Sequence, residues 1–379
     1  MSPARPLAVL ATLLALATVA AAAPRRLVLH FPRVVVAPGA SVEACLLVHV
    51  PLDAAFDMSA WRVRHHGVGG AVGARHFLVY QYVGTQAAAF ADGAGRVVES
   101  RGCLDVGPSD RDARLLVAGA RSESGFLPDG LALPLAPQGG ALLLVLDGNW
   151  ANGGTRPRTV SADLILTRAK PGSVRQRLVG FRDRAADDTL SVPPFTVAET
   201  GEARWQPPHD ACVLTVSGAF HRRGLFLGAD RLDAQGAVAN PAGGARDPFV
   251  DGRTRLFGAP DWTDPGSRDF PRGLLVRAGA ALSWSCWHDN GVNTPVRLGC
   301  ETAPGGTPGS VGGAPAKPCS SSGPAAPECV GPGLTGACVP ANLVAGPDPE
   351  DETCALTGWY WDAVPGAADD VACDVGGGS

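Results

Sequence analysis

Short apolar runs, broken by Gly, Pro, Asp or Asn, recur along the whole chain. They include "RLVLHF", "RVVVA", "SVEACLLVHV", "HFLVYQYV", "ALLLVLD", "TVSADLILT", "ACVLTVSGAF", "GLLVRAG" and "ALSWSCWH". Runs of this length between turn residues read as β-strands. No window sustains the 3.6-residue apolar period that an amphipathic helix needs. The pattern predicts an all-β protein built from antiparallel sandwiches or barrels. The strands form two blocks. The first spans about 26–168 and closes at Lys170–Pro171–Gly172. A polar stretch over 173–208 follows, and a second block begins at Cys212. The expected domains are therefore 24–170 and 171–379.

Composition sharpens this picture in three places. Forty-nine glycines and 33 prolines, spread throughout, favour short strands and turns over helices. Their densest stretch, at about 300–350, would read as a linker, but Cys319, Cys329 and Cys338 within it predict a stapled loop inserted in the second domain. Residues 1–23, with Arg5, an apolar middle and an Ala-rich end, match a secretory signal peptide. That predicts a secreted or periplasmic protein with no membrane span after cleavage. Ten cysteines, none in a C-x-x-C pair, suit an oxidising compartment and up to five disulfides, whose connectivity spacing alone leaves open. The net charge of −4, with signs mixed along the chain, gives no basis for nucleic-acid binding.

The usual catalytic signatures are missing: no G-x-S-x-G, no H-E-x-x-H, no Walker loop and no EF-hand loop. "GVGGAVG" at 67–73 is a near miss to a dinucleotide fingerprint, without the helix the mechanism needs. Among the eight histidines, the adjacent His65 and His66 should point to opposite faces of a strand. His221, in "GAFHRRGLFLG", has only Ala219 at the companion position on its own face.

Five ordered stretches carry a resemblance: "RHFLVYQYVG" at 75–84, "LLLVLDGNWANGG" at 142–154, "CVLTVSGAFHRRGLFL" at 212–227, "PRGLLVRAGAALSWSCWHDNGVNTPVRLGC" at 271–300 and "CVPANLVAGPDPEDETCALTGWYW" at 338–361. Together they resemble the type II copper, ascorbate-dependent monooxygenases, the family of peptidylglycine α-hydroxylating and dopamine β-monooxygenases, and more closely their exported bacterial relatives. The resemblance implies two jelly-roll-like β-sandwiches with one copper each. It implies an adjacent His-His pair plus a third histidine at the first copper, and His-x-His plus Met at the second. Imidazole serves both copper oxidation states, and a soft thioether favours Cu(I).

Carried over one by one, four of these six ligands are replaced. The adjacent pair is Arg75–His76, and the third histidine becomes Asn149. The His-x-His pair is Ala219-Phe220-His221, and the methionine becomes Thr353. Arginine has no lone pair to offer a metal, and a threonine hydroxyl is hard and neutral. One ligand per site remains, His76 and His221. The resemblance also implies disulfides Cys45–Cys103, Cys212–Cys373 and Cys286–Cys354, with Cys300, Cys319, Cys329 and Cys338 stapling the inserted loop in an open pairing. The expected function is a copper-depleted pseudoenzyme or binding module, taking a small molecule or peptide in the inter-domain cleft. The alternative is an active copper- and ascorbate-dependent hydroxylase, its second site rebuilt from His221, His209 or His288.

Overall fold

The computed structural model describes residues 25–375 apart from 53–54, 86, 89, 91–96, 100–112, 120–121, 263–264, 303–317, 321–322, 324, 347–351 and 370. The expected signal peptide, 1–23, and Cys103, with its expected bridge to Cys45, lie outside the described residues. Everything that positions a site is β-structure, and the expected pair of antiparallel, jelly-roll-like sandwiches is what forms.

In the first half, one sheet runs Arg26–Val36, Arg158–Arg168, Phe56–His66, Leu131–Leu135 and Gln176–Arg177, with Glu123–Phe126 paired beside Phe56–His66. The facing sheet runs Val97–Glu99, Ser41–Pro51, Ala141–Asn152, Val72–Tyr82 and Ala113–Gly119. The second half repeats the plan. Val179–Asp183, Cys354–Asp362, Ala211–Phe220 and Ser267–Val276 form one sheet. Thr196–Glu199, Ala281–Asn290, Gly224–Leu232 and Phe257–Ala259 form the other, with Ala203–Trp205 also on Ala281–Asn290. In each half the first strand of the chain lies beside the last, and the second beside the next-to-last, the interleaving of a jelly roll.

Alternation explains which faces close. In Val72–Tyr82, Phe77 and Val79 enter the core between the two sheets of the first half with Phe31, Leu144, Leu146 and Trp150. Tyr80 and Tyr82 point the other way and pack with Cys45, Leu47, Phe90, Leu143 and Val145. The outer face of this sheet is thus apolar around Tyr80, Tyr82, Leu143 and Val145. His65 and His66 divide as expected. His65 is buried against Phe77 and Trp150, whose Nε1 donates to His65 Nδ1 at 3.4 Å. His66 is exposed, bonded to Asp163 at 2.9 Å. Burial pushes His65 down to about 4.

The second core holds Trp284, Phe220, Leu227, Val216 and Leu356. The halves are not independent. Cys212, Leu214, Trp361 and Cys373 of the second belong to the core of the first, and Trp359 Nε1 donates to the Leu115 carbonyl at 3.2 Å. Cys212–Cys373 and Cys286–Cys354 form as expected. The pairing that spacing left open is Cys300–Cys329 and Cys319–Cys338, which stack into a small apolar cluster under the hairpin Leu298–Thr302 with Leu334–Pro340. Among the described residues, no helix is long and apolar enough to cross a membrane.

Candidate functional site

A cleft of about 840 Å³ lies between the halves. Trp61, Phe126, Phe181 and Trp359 give it aromatic walls, and Arg114, Glu123, Asp129 and Asp269 bring charge to it. His76 lies on its first-half side. Ser217, Thr215 and Thr357 lie on its second-half side.

His76 is placed by strand register. Ser41–Pro51, Ala141–Asn152 and Val72–Tyr82 are adjacent, and Asn149 stands opposite both Glu43 and His76. Asp147 shares the face of Asn149, two residues along. The ladder shifts between Ala74 and His76, so Arg75 is the extra residue of an irregularity and stays exposed. The expected neighbours His76 and Asn149 are therefore brought together and Arg75 is turned aside. His76, Asp147 and Asn149 are 7%, 6% and 4% exposed. His76 Nε2 lies 3.4 Å from Asp147 Oδ1, and donor atoms of Glu43, His76 and Asp147 all fall within 4.8 Å of one another. Asn149 Nδ2 donates to Glu43 Oε2 at 3.1 Å. Among the described residues, Asn149 Oδ1 has no hydrogen-bond partner, and His76 Nε2 and Asp147 Oδ1 have only their long contact with each other. Burial works to lower the His76 pKa, but the carboxylates of Asp147 and Glu43 outweigh it and the net direction is up. The guanidinium of Arg182 sits over the Tyr80 ring at 5.9 Å, and burial raises the Tyr80 phenol.

The second expected position is built differently. The strand Ala211–Phe220 ends before His221, which is exposed in a turn closed by Gly224 N–H to the His221 carbonyl at 2.9 Å. Ala219 stands opposite Ala355, so two methyl groups occupy the row where ligands were expected. Thr353 is buried and donates to Asp187 at 3.2 Å, and the Cys354 N–H donates to the same carboxylate at 2.6 Å. Glu352, 1% exposed, accepts the backbone N–H groups of His221 at 3.0 Å and Arg223 at 2.9 Å. "ETC" is thus a buckle: Glu352 holds the turn, Thr353 and Cys354 hold Asp187, and Cys354 bridges to Cys286. His288 is fully buried, 3.7 Å from Glu352, and burial pushes it down to about 4. His209 pairs with Asp362 at the far end of the strand from His221, on the order of 30 Å away at ~3.3 Å per residue. His209 is therefore remote from the other two, whereas the His221 backbone and the buried His288 both meet Glu352.

These residues do not fit two type II coppers. The first position offers one imidazole amid hard oxygens, and the second offers one exposed imidazole, methyl groups and a hydroxyl already bonded to Asp187. Sequence reasoning missed Glu43, Glu352 and Asp187 as site residues. Each is a lone acid whose role depends on strand register or on a partner far along the chain.

Glu352 supplies a testable pH dependence. Burial raises its pKa from 4.5 to about 8. Between those values the folded chain keeps a proton that the unfolded chain gives up. Its stabilising contribution is fully present below 4.5 and is lost as pH rises through about 8. Glu352→Gln never has to ionise. It should therefore lose the pH dependence of stability that the wild type shows between pH 5 and 8, at most about 5 kcal/mol at ~1.4 kcal/mol per pKa unit. Its NH2 group, though, cannot accept one of the two backbone N–H groups that Glu352 holds. Urea unfolding at several pH values measures this, and a parallel pH dependence in both proteins would refute it.

No family model matches the chain, and no curated protein matches it. Among solved structures, it is similar to PNGase F, a glycosylasparaginase from Flavobacterium meningosepticum, at 11% identity and TM-score 0.31, over 72% of this chain and 92% of that one. It is also similar to PNGF-II at 9% identity and TM-score 0.27, over 83% of this chain and 59% of that one.

Proposed function

We propose that the chain is an exported, disulfide-stapled binding protein on a copper monooxygenase-like scaffold, without copper–oxygen chemistry of its own. Its ligand is a small molecule or peptide held in the cleft between the two sandwiches. The observation that carries this reading is a roomy, aromatic-walled cleft whose second-half wall includes Thr215, Ser217 and Thr357, while farther along the same two strands Ala219 stands opposite Ala355 where the resemblance calls for a histidine ligand. Binding pockets commonly combine apolar walls with a few placed polar groups, and Trp61, Trp359, Glu123 and Arg114 supply both kinds here. A purely structural surface module has no need of such a concavity.

The test is oxygen consumption by copper-treated protein with ascorbate across a panel of C–H substrates. The expected result is no turnover above the rate of copper and ascorbate alone. Substrate-dependent uptake that His221→Ala abolishes would favour the hydroxylase instead.

A further inference from the structure

Glu43, His76, Asp147 and Asn149 come from three adjacent strands and converge at one point. The arrangement is costly as it stands. Two carboxylates and an imidazole lie together, His76 and Asp147 buried and meeting only at a long 3.4 Å, and among the described residues the buried Asn149 Oδ1 has no hydrogen-bond partner. Buried polar atoms are nearly always satisfied, and an unmatched one costs about 1–3 kcal/mol. An unmatched amide oxygen beside a long His76–Asp147 contact and a second carboxylate points to a group that accepts lone pairs rather than donating them. The imidazole lone pair, two carboxylates and an amide oxygen are all donors to a cation. Their two negative charges balance a divalent ion.

We propose that this cluster is a zinc(II) site, with Glu43, His76 and Asp147 as ligands and the Asn149 carbonyl oxygen supporting them. Mixed imidazole and carboxylate ligation is a zinc set. The oxygen-rich donors do not serve Cu(I), and one imidazole sets the cluster apart from all-oxygen calcium or magnesium sites. Zinc has no redox chemistry, so the ion would organise the cleft side of the sheet where the resemblance puts a redox metal. The proposal goes beyond the binding reading and does not depend on it, since zinc can bind whether or not the cleft takes a ligand.

Calorimetric titration of the EDTA-dialysed full chain, disulfides intact, with zinc chloride tests it. One ion per chain should bind, raising the thermal midpoint. The exposed His30–Asp163–His66 cluster is a competing surface site, so Asp163→Asn serves as background. In that background, Asp147→Asn and His76→Gln should each weaken binding about 100-fold or more, beyond the ~10–100-fold that losing an outer-shell partner costs. His288→Gln should leave it unchanged. If His76→Gln does not fold, Glu43→Gln decides, because Glu43 is only half-buried. Zinc affinity insensitive to the Glu43 and Asp147 changes would overturn the assignment. So would no saturable binding in Asp163→Asn, or preference for calcium or magnesium over zinc.

Discussion

Arg255→Met is expected to destabilise the second half by about 3–5 kcal/mol, the cost of removing one partner from a buried ion pair. Arg255 is 1% exposed and uses its whole fork. Nε donates to Asp247 at 2.8 Å, Nη1 to Asp230 at 3.0 Å, and Nη2 to Glu199 at 3.0 Å and Ser285 at 3.3 Å. Gly228 makes room, since a Cβ there would lie 2.7 Å from the guanidinium Nε. Methionine fills similar volume and leaves Asp230 and Asp247 buried with less counter-charge, Arg253 still reaching Asp230. Lysine should recover less than half the loss, because a point charge cannot span three carboxylates. Burial alone would raise the Asp247 pKa. The Phe249 N–H and the Arg255 guanidinium reverse this, so the net direction is down. Asp247 therefore stabilises the fold above its unfolded value of 3.8, and that contribution is lost as pH falls below it. Arg255→Met should flatten this acid limb. Urea unfolding at pH 7 and pH 3.5 measures both effects. An unchanged midpoint at pH 7 would remove the network from the account of stability.

The second large effect is expected from Cys212→Ala with Cys373→Ala. The bridge closes a loop of sequence separation 161 and ties the chain's last described segment to the strand Ala211–Phe220. The chain-entropy model puts such a closure at about 5 kcal/mol. Both cysteines also sit in the core that the halves share, beside Leu214 and Trp361. The double variant should lower the denaturant midpoint of the whole chain. Removing Cys300–Cys329, of separation 29, should chiefly loosen the local hairpin. Equal midpoint shifts from the two would show that the long bridge does not couple the halves.

Where apolar side chains recur along a strand, the sequence made the element legible. "SVEACLLVHV" is Ser41–Pro51, "ACVLTVSGAF" is Ala211–Phe220 and "ALSWSCWH" lies in Ala281–Asn290. Phe56–His66 escaped because outward-pointing Arg62 and Arg64 break its apolar run, although it pairs with Arg158–Arg168 along its length. The polar stretch 173–208 hid Val179–Asp183 and Ala203–Trp205, whose strand character comes from their neighbours in the sheets.

The site divides in the same way. His76 and Asn149 stood out because the resemblance marked their positions, and register places them side by side. Glu43 becomes visible only once three strands are aligned. The role of Thr353 depends on Asp187, 166 residues away. A contact of that separation leaves no local pattern to read.

The most direct measurement of the central claim is copper content after anaerobic loading in the presence of ascorbate, followed by exhaustive dialysis. A chain that offers methyl groups, a committed threonine and one imidazole amid carboxylates should retain no stoichiometric Cu(I). Two copper ions held tightly per chain would contradict it.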